Sequence, residues 1–380
     1  MVSFQLSEEQ QALQEMTARF VREEIIPVAA HHDVTGEYPA QIGRKAFELG
    51  LVNVTVPEAY GGGGLGHFEE VLITEELCYG CGGIAICITV NNLATVPLVL
   101  GGSEELKKKY LGMLTSEYAT ASYCLSEPDA GSDAASISTV AERRGDHYII
   151  SGNKAWVSGG THARWFVVFA STDPTRGKKG ISAFIVPADA AGVTFGKKED
   201  MMGQRASNTV FITFEDVEVP ADHRLGGEGE GFKLAMKTFD RTRPGIAAGA
   251  VGISRRALDE SQRYAKERKA FGRPLAELQA IQFMLADMVK EIQATRLLTW
   301  HAAWKVDQGQ RNTLECSIAK LFGADSAMRI TTDAVQIFGG YGYSKEYPVE
   351  KLMRDVKVLQ IYEGTSQIQR MIIARQILKT

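Results

Sequence analysis

The chain has 380 residues, 44% of them hydrophobic and 23% charged, with a formal net charge of −4. This is the composition of a soluble globular protein long enough for more than one domain, and it carries no basic footprint for nucleic acid or an anionic membrane. No apolar run approaches the ~20 residues of a membrane span, the N-terminal segment has no signal-peptide core, and five cysteines, an odd number, argue against a disulfide framework. The chain therefore reads as intracellular and reduced.

Taken in order, residues 1–119 read as a helical domain. Leu6, Leu13, Met16, Phe20, Val21 and Ile25 fall near helical periodicity, and Pro27 ends or kinks that pattern. Further helical patterns cover 41–49, 68–79, 85–100 and 104–114, and His31 with His32 reads as a surface pair. Gly61, Gly63 and Gly66 fit the G-x-G-x-x-G spacing of a dinucleotide loop, after the apolar run 51–56. Residues 57–60 intervene, and no acidic residue follows at the ribose-binding distance, so the segment reads as a flexible loop. Cys78 and Cys81 form a C-x-x-C without a second ligand pair and at the end of a helical pattern; they read as buried small hydrophobes.

Residues 120–232 change texture and read as a central antiparallel β domain. Runs at 148–150, 165–170, 181–186, 192–195 and 209–219 are β-branched or aromatic and are separated by turn residues such as Gly145, Gly159 and Pro174. The opening stretch, 123–133, is rich in small and hydroxyl residues. Such a stretch either turns backbone N–H and serine groups toward an oxygen-rich ligand or is a plain polar turn.

Residues 233–380 read as a helical bundle, with long patterns at 232–268, 275–308 and 314–338 joined by Gly- and Pro-containing turns. Two amphipathic runs follow, 349–359 and 368–378. Between them Gly364 breaks the pattern, and Ser366 with Gln369 has the spacing of a capping box. Glu363 is thus one carboxylate held at a break between helices beside Ile361 and Tyr362. It is either a base whose charged form is disfavoured by apolar neighbours or a solvated residue on a helix-end loop. There is no P-loop, no H-E-x-x-H and no nucleophile elbow, and the seven histidines do not cluster at metal-ligand spacing.

Several ordered stretches carry a resemblance: 22–30 (REEIIPVAA), 36–39 (GEYP), Ser126-Glu127-Pro128 with Ala130-Gly131-Ser132-Asp133, Met202-Gly203-Gln204-Arg205, Asp240-Arg241-Thr242-Arg243-Pro244, Glu267-Arg268-Lys269 with Phe271-Gly272, 336–340 (QIFGG), 346–355 and 361–375. Nearly end to end, the chain resembles the acyl-CoA dehydrogenases, and among them the medium-chain fatty acyl-CoA enzymes. The resemblance implies an α+β fold: an N-terminal helical domain (1–119), a central antiparallel β domain (120–232) and a C-terminal four-helix bundle carrying the catalytic Glu (233–380). It implies a homotetramer built as a dimer of dimers, bound FAD, an acyl-CoA substrate and electron transfer flavoprotein as electron acceptor. It implies no nucleic acid or membrane partner, and a cytoplasmic location, or the mitochondrial matrix for a processed eukaryotic protein.

Residue by residue, Glu363 matches the base that removes the α-proton while hydride leaves Cβ for flavin N5. Tyr123, Leu125, Ser126, Gly131 and Ser132 match the loop at the flavin ring and pyrophosphate; Trp156 and Ser158 match an indole on the ring and a hydroxyl near N5. Arg268, Phe271, Gln279, Gln336, Gly339 and Gly340 match residues that reach the cofactor of a neighbouring subunit, and Thr365 and Gln367 match cofactor contacts after the base. Ser132, Asp240, Arg243, Tyr362 and Gly364 match substrate contacts. Asp129, expected to point outward, and Ala270 depart from the common pattern. Thr89 replaces the carboxylate of mammalian medium-chain enzymes, which leaves a short, branched or alicyclic acyl group open.

Overall fold

The structure, a computed structural model, describes residues 4–378; the outermost ends of the first and last expected domains, 1–3 and 379–380, lie outside them. The N-terminal part is built from α1 (Glu8–Phe20), α2 (Ala29–Thr35), α3 (Ala40–Glu48), α4 (His67–Gly80), α5 (Gly82–Gly101), α6 (Glu104–Leu106) and α7 (Gly112–Thr115). Helix α1 opens with a true capping box: Gln10 N donates to Ser7 Oγ at 3.1 Å and Ser7 N donates to Gln10 Oε1 at 3.0 Å. Helices α4 and α5 are separated by one extended residue, Cys81, and all five cysteines are free and buried.

Three expectations need correction here. Helix α5 is long and apolar enough to cross a membrane, contrary to the expectation that no such run exists, but 67% of its apolar window is buried inside the fold, where core packing accounts for the composition. The glycine-rich segment is packed rather than flexible: a Cβ on Gly62 would lie 2.1 Å from Val56 O. It is no phosphate cradle either, because carboxylates already take the N-terminus of α4. Asp307 accepts from His67 N at 2.7 Å and Phe68 N at 2.9 Å, and Glu69 from Gly66 N at 3.1 Å. Finally, His32 is buried, its Nδ1 2.8 Å from Glu37 O, while His31 alone is at the surface.

The middle of the chain forms β1 (Thr120–Cys124), β2 (Val140–Arg144), β3 (His147–Ser158), β4 (Ala163–Ser171), β5 (Ile181–Pro187), β6 (Val193–Lys198), β7 (Thr209–Pro220) and β8 (Arg224–Leu225), in one sheet of order β6-β7-β3-β2-β4-β5-β8 with β1 on β4. Most pairings are antiparallel, but β1 and β2 each meet β4 in parallel. Strand β4 is buried on both faces: Trp165, Val167 and Phe169 pack toward the helices, and Phe166, Val168 and Ala170 into the β core. Register shifts interrupt the β3–β7 ladder between Lys154 and Val157, and there Trp156 takes φ +62°.

After the two-strand hairpin β9 (Lys269–Ala270) and β10 (Arg273–Pro274), which follows the 37-residue α8 (Gly231–Glu267), come α9 (Gln279–Asp307), α10 (Thr313–Phe338), α11 (Val349–Lys357) and α12 (Ser366–Leu378). Small residues let α8 lie close to its neighbours: a Cβ on Gly252 would sit 2.1 Å from Glu75 O in α4. The largest core runs from Phe20 and Val21 through α4 and α5 to α8, α9, α10 and α11, so the N- and C-terminal helices share one interior.

Candidate active site

The chain turns between α11 and α12 through a short 3-10 segment, Val358–Gln360, and then two successive left-handed residues, Glu363 at φ +50° and Gly364 at φ +92°. A left-handed non-glycine residue costs about 1–3 kcal/mol and persists only where its surroundings hold it. Here the hold comes from below. Arg243 Nε donates to Glu363 O at 3.0 Å, Gln369 Nε2 to the carbonyls of Glu363 and Gly364 at 3.1 and 3.0 Å, and Lys320 Nζ to Gly364 O at 2.7 Å. This overturns the expected Ser366/Gln369 capping box. Thr365 Oγ1 accepts from Ile368 N at 3.2 Å, Ser366 Oγ donates to Asp325 at 2.9 Å, and the Gln369 amide satisfies the carbonyls of the strained turn instead.

Glu363 is not a solvated loop residue. Thr242 Oγ1 donates to Glu363 Oε2 at 2.6 Å. Burial pushes the carboxyl above its ordinary range, against the Thr242 hydrogen bond and the charges of Arg243 and Lys320, while the carboxylate of Glu70 adds to the rise. Burial likewise pulls the Lys320 ammonium down to about 8, against the attraction of Glu363. The backbone N–H of Glu363 has no partner among the described residues. Tyr362 is half-buried and packs against the largest core.

Tyr123 ties this turn to the sheet. It packs against Phe169 and Phe239, its hydroxyl is buried without a partner, and Glu363 is the charged group that most opposes its ionisation. Around it the structure gathers Leu125, Ser126, Trp156 and Ser158. Ala155 N donates to Ser126 O at 2.9 Å, and Ser122 Oγ to Ser158 O at 2.7 Å. The indole of Trp156 is 55% exposed, held edge-on to Phe211. Under the loop, Lys154 donates to Leu125 O and Glu127, while Glu127 also accepts from the N–H and hydroxyl of both Ser138 and Thr139. Gly131 and Ser132 lie on the exposed rim, and Asp129 points outward.

Asp240 accepts from Thr313 Oγ1 at 2.6 Å and lies 3.7 Å from Arg243, which is itself buried beneath the turn. Thr365 and Gln367 border a surface groove with Asp325, Arg329 and Arg370. The remaining group is not brought to Glu363. Arg268 lies over the Tyr341 ring, beside Gly339 and Gly340 in a separate groove, with Gln279 and Gln336 exposed and Phe271 91% exposed at φ +53°. Gly339 caps the end of α10, whose last residue, Phe338, lies eighteen residues beyond Lys320, about 27 Å of helix. Sequence reading missed Thr242, Lys320, Gln369, Glu127 and Lys154 as supports of the site. A signal existed for Lys320, a lone cation among Cys316, Ala319, Gly323, Ala324 and Ala327 on a helix face. Among the described residues no group of side chains could hold a metal ion.

Comparison with known proteins gives a consistent picture. Family models for the N-terminal, middle and C-terminal domains of acyl-CoA dehydrogenase match residues 7–118, 122–217 and 229–378. The chain is 49% identical over 380 residues to a "Probable medium-chain specific acyl-CoA dehydrogenase 2, mitochondrial" of Caenorhabditis briggsae, spanning 99% of this chain and 92% of that one. The solved butyryl-CoA dehydrogenase of Megasphaera elsdenii superposes with a TM-score of 0.96 at 40% identity, covering 99% of this chain and 100% of the other. PigA, solved with FAD and proline, superposes with a TM-score of 0.95 at 29% identity, over 99% of each chain.

Proposed function

Because the chain belongs to the acyl-CoA dehydrogenase family, we propose that it is a FAD-dependent enzyme that converts a medium- or short-chain acyl-CoA to the trans-2-enoyl-CoA, with Glu363 as the α-proton base. The observation that carries this reading is the half-buried Glu363 carboxylate, fixed on a left-handed turn, held by Thr242 and pushed above its ordinary range by burial, close to the unpartnered Tyr123 hydroxyl. The residues present fit a flavin. Trp156 offers an exposed aromatic face, Ser126 and Ser158 add hydroxyls beside it, and the buried Tyr123 hydroxyl lacks a protein partner. When bound, the flavin supplies the N5 acceptor for the hydride that leaves Cβ.

The chain's own residues do the rest. Glu363 accepts the α-proton; a thioester α-carbon is a poor acid, so the oxygen that gains charge needs a donor aimed at it. The free N–H of Glu363 is such a donor, and Arg243, Lys320 and Gln369 fix its direction by holding the carbonyls of the same turn. Closing substrate over the site removes water and raises the base further. Arg268, Phe271, Gln279, Gln336, Gly339 and Gly340, too distant to serve Glu363 of the same chain, suit the cofactor of a neighbouring subunit in a homotetramer. Electron transfer flavoprotein is the proposed acceptor. A branched or alicyclic acyl group stands as the second substrate reading, since Thr89 leaves the acyl site without a carboxylate at that position.

Anaerobic addition of acyl-CoAs to the yellow protein tests the reaction: flavin absorbance should bleach and the enoyl-CoA appear. A folded protein that cannot be loaded with FAD, or whose flavin no acyl-CoA reduces, rejects it. Thr242→Val tests the base more finely. The Thr242 hydrogen bond lowers the Glu363 pKa, so its loss raises that pKa and the base stays protonated to higher pH. The acid limb of kcat/KM should move to higher pH; an unmoved limb would remove Thr242 from this role.

A further inference from the structure

Helix α5 is largely buried, yet Ile86, Thr89, Asn92 and Leu93, which recur along one face, keep partial exposure, as do Gly245 and Ile246 in the middle of α8. Helices α4, α5 and α8 pack on one another. Partial exposure at the centre of three mutually packed helices means that their packing leaves space there. A Cβ built on Gly245 would meet only Glu70 Oε1, at the ordinary contact distance of 3.9 Å, so Glu70 faces α8 across the space that the missing side chain leaves. Gly245 lies one turn beyond Thr242, about 4.5 Å of rise along α8, and Thr242 holds the Glu363 carboxylate. The cavity therefore continues inward from the reacting end toward Glu70.

Glu70 is 6% exposed. Its Oε1 accepts from Asn92 Nδ2 at 2.6 Å, and its other oxygen has no hydrogen-bond partner among the described residues. Burial raises the carboxyl, against the His67 charge and the Asn92 hydrogen bond, while Asp307 adds to the rise. On the preceding turn, His67 Nδ1 is 3.4 Å from Asp307 and its Nε2 is buried without a partner. A cavity for a plain alkyl chain needs none of these groups, and a buried polar atom left unpaired against a methyl is costly.

Resting on the dehydrogenase reading above, we infer that Glu70, braced by Asn92, is a specificity residue at the inner end of the acyl cavity, selecting acyl-CoAs whose chain ends in a hydroxyl over plain chains of the same length. Oε1, the Glu70 oxygen that faces Gly245, keeps a second lone pair beside its Asn92 bond, so it can accept from a substrate hydroxyl whether the carboxyl is ionised or carries its proton on the other oxygen. A site built to hydrogen-bond a substrate hydroxyl discriminates strongly against the analogue lacking it, because its own polar groups are then left unpaired.

The test is kcat/KM for butyryl-, hexanoyl- and octanoyl-CoA and their ω-hydroxy counterparts, using flavin-loaded enzyme and an artificial electron acceptor. In the unaltered enzyme, the best ω-hydroxyacyl-CoA should exceed its plain counterpart by about tenfold or more. Glu70→Leu should invert that ratio, losing the hydroxylated substrate and gaining the plain one. A preference for plain chains in the unaltered enzyme, or a ratio that Glu70→Leu leaves unchanged, overturns the assignment. The first of these needs no variant, so a Glu70→Leu that fails to fold leaves the test standing. If no acyl-CoA of either kind bleaches the flavin, the dehydrogenase reading fails instead, and that result is distinct from a wrong preference.

Discussion

Glu363→Gln should bind acyl-CoA and FAD yet reduce flavin slower by about 10²–10⁴-fold, the range that a positioned general base contributes. Gln has the shape of Glu and its amide oxygen can still accept from Thr242, so the turn keeps its hydrogen bonds while losing the proton acceptor. Glu363→Asp should fall between the two, because it keeps the carboxylate but draws it back by one methylene. Stopped-flow flavin reduction separates the outcomes: binding is read from the perturbed flavin spectrum and chemistry from bleaching. Turnover by the Gln variant close to that of the unaltered enzyme would remove Glu363 from the role of base.

The second large effect falls on stability. Lys154 and Glu127 are 0% and 3% exposed, and their ion pair closes at 2.7 Å beneath the loop that carries Leu125 and Ser126. Breaking a buried pair by removing one partner leaves an uncompensated charge and costs about 3–5 kcal/mol, so Lys154→Met should lower Tm sharply and loosen flavin binding. Urea unfolding, followed by tryptophan and by flavin fluorescence, would read both. The same pair predicts an acid limit. Burial alone would raise the Glu127 carboxyl, but the Lys154 charge and the hydrogen bonds from Lys154, Thr139 and Ser138 hold it at about 2. A carboxyl depressed in the folded state contributes its full stability above its unfolded pKa, here near 4.5, and loses it as pH falls toward about 2. Stability should therefore decline through that window in the unaltered protein, and Lys154→Met should show a shallower decline. Equal slopes would mean that other carboxylates govern acid unfolding.

The helix, sheet and helix textures were legible in the residues themselves, because periodicity and β-branching are local. Patterns at 232–268 and 314–338 correspond to α8 and α10 within a residue or two. The break at Gly364 was legible for the same reason. Local spacing also misled where a side chain had a better distant partner. Ser366 and Gln369 satisfy the capping-box pattern, yet one bonds Asp325 and the other the carbonyls of Glu363 and Gly364. The apolar run of α5 likewise has a membrane-like composition in a helix that belongs to a protein core.

By itself, then, the sequence determined which residues are chemically able to act and where the chain bends to present Glu363. Only the tertiary structure decided the state of that carboxylate. Its raised pKa is a sum over burial and over Thr242, Arg243, Lys320 and Glu70, groups as far as 293 positions away in the chain. Its left-handed backbone persists because Arg243, Lys320 and Gln369 converge on two adjacent carbonyls. Electrostatic energy and strain depend on distances through space, and no one-dimensional pattern contains those distances until the helices have packed.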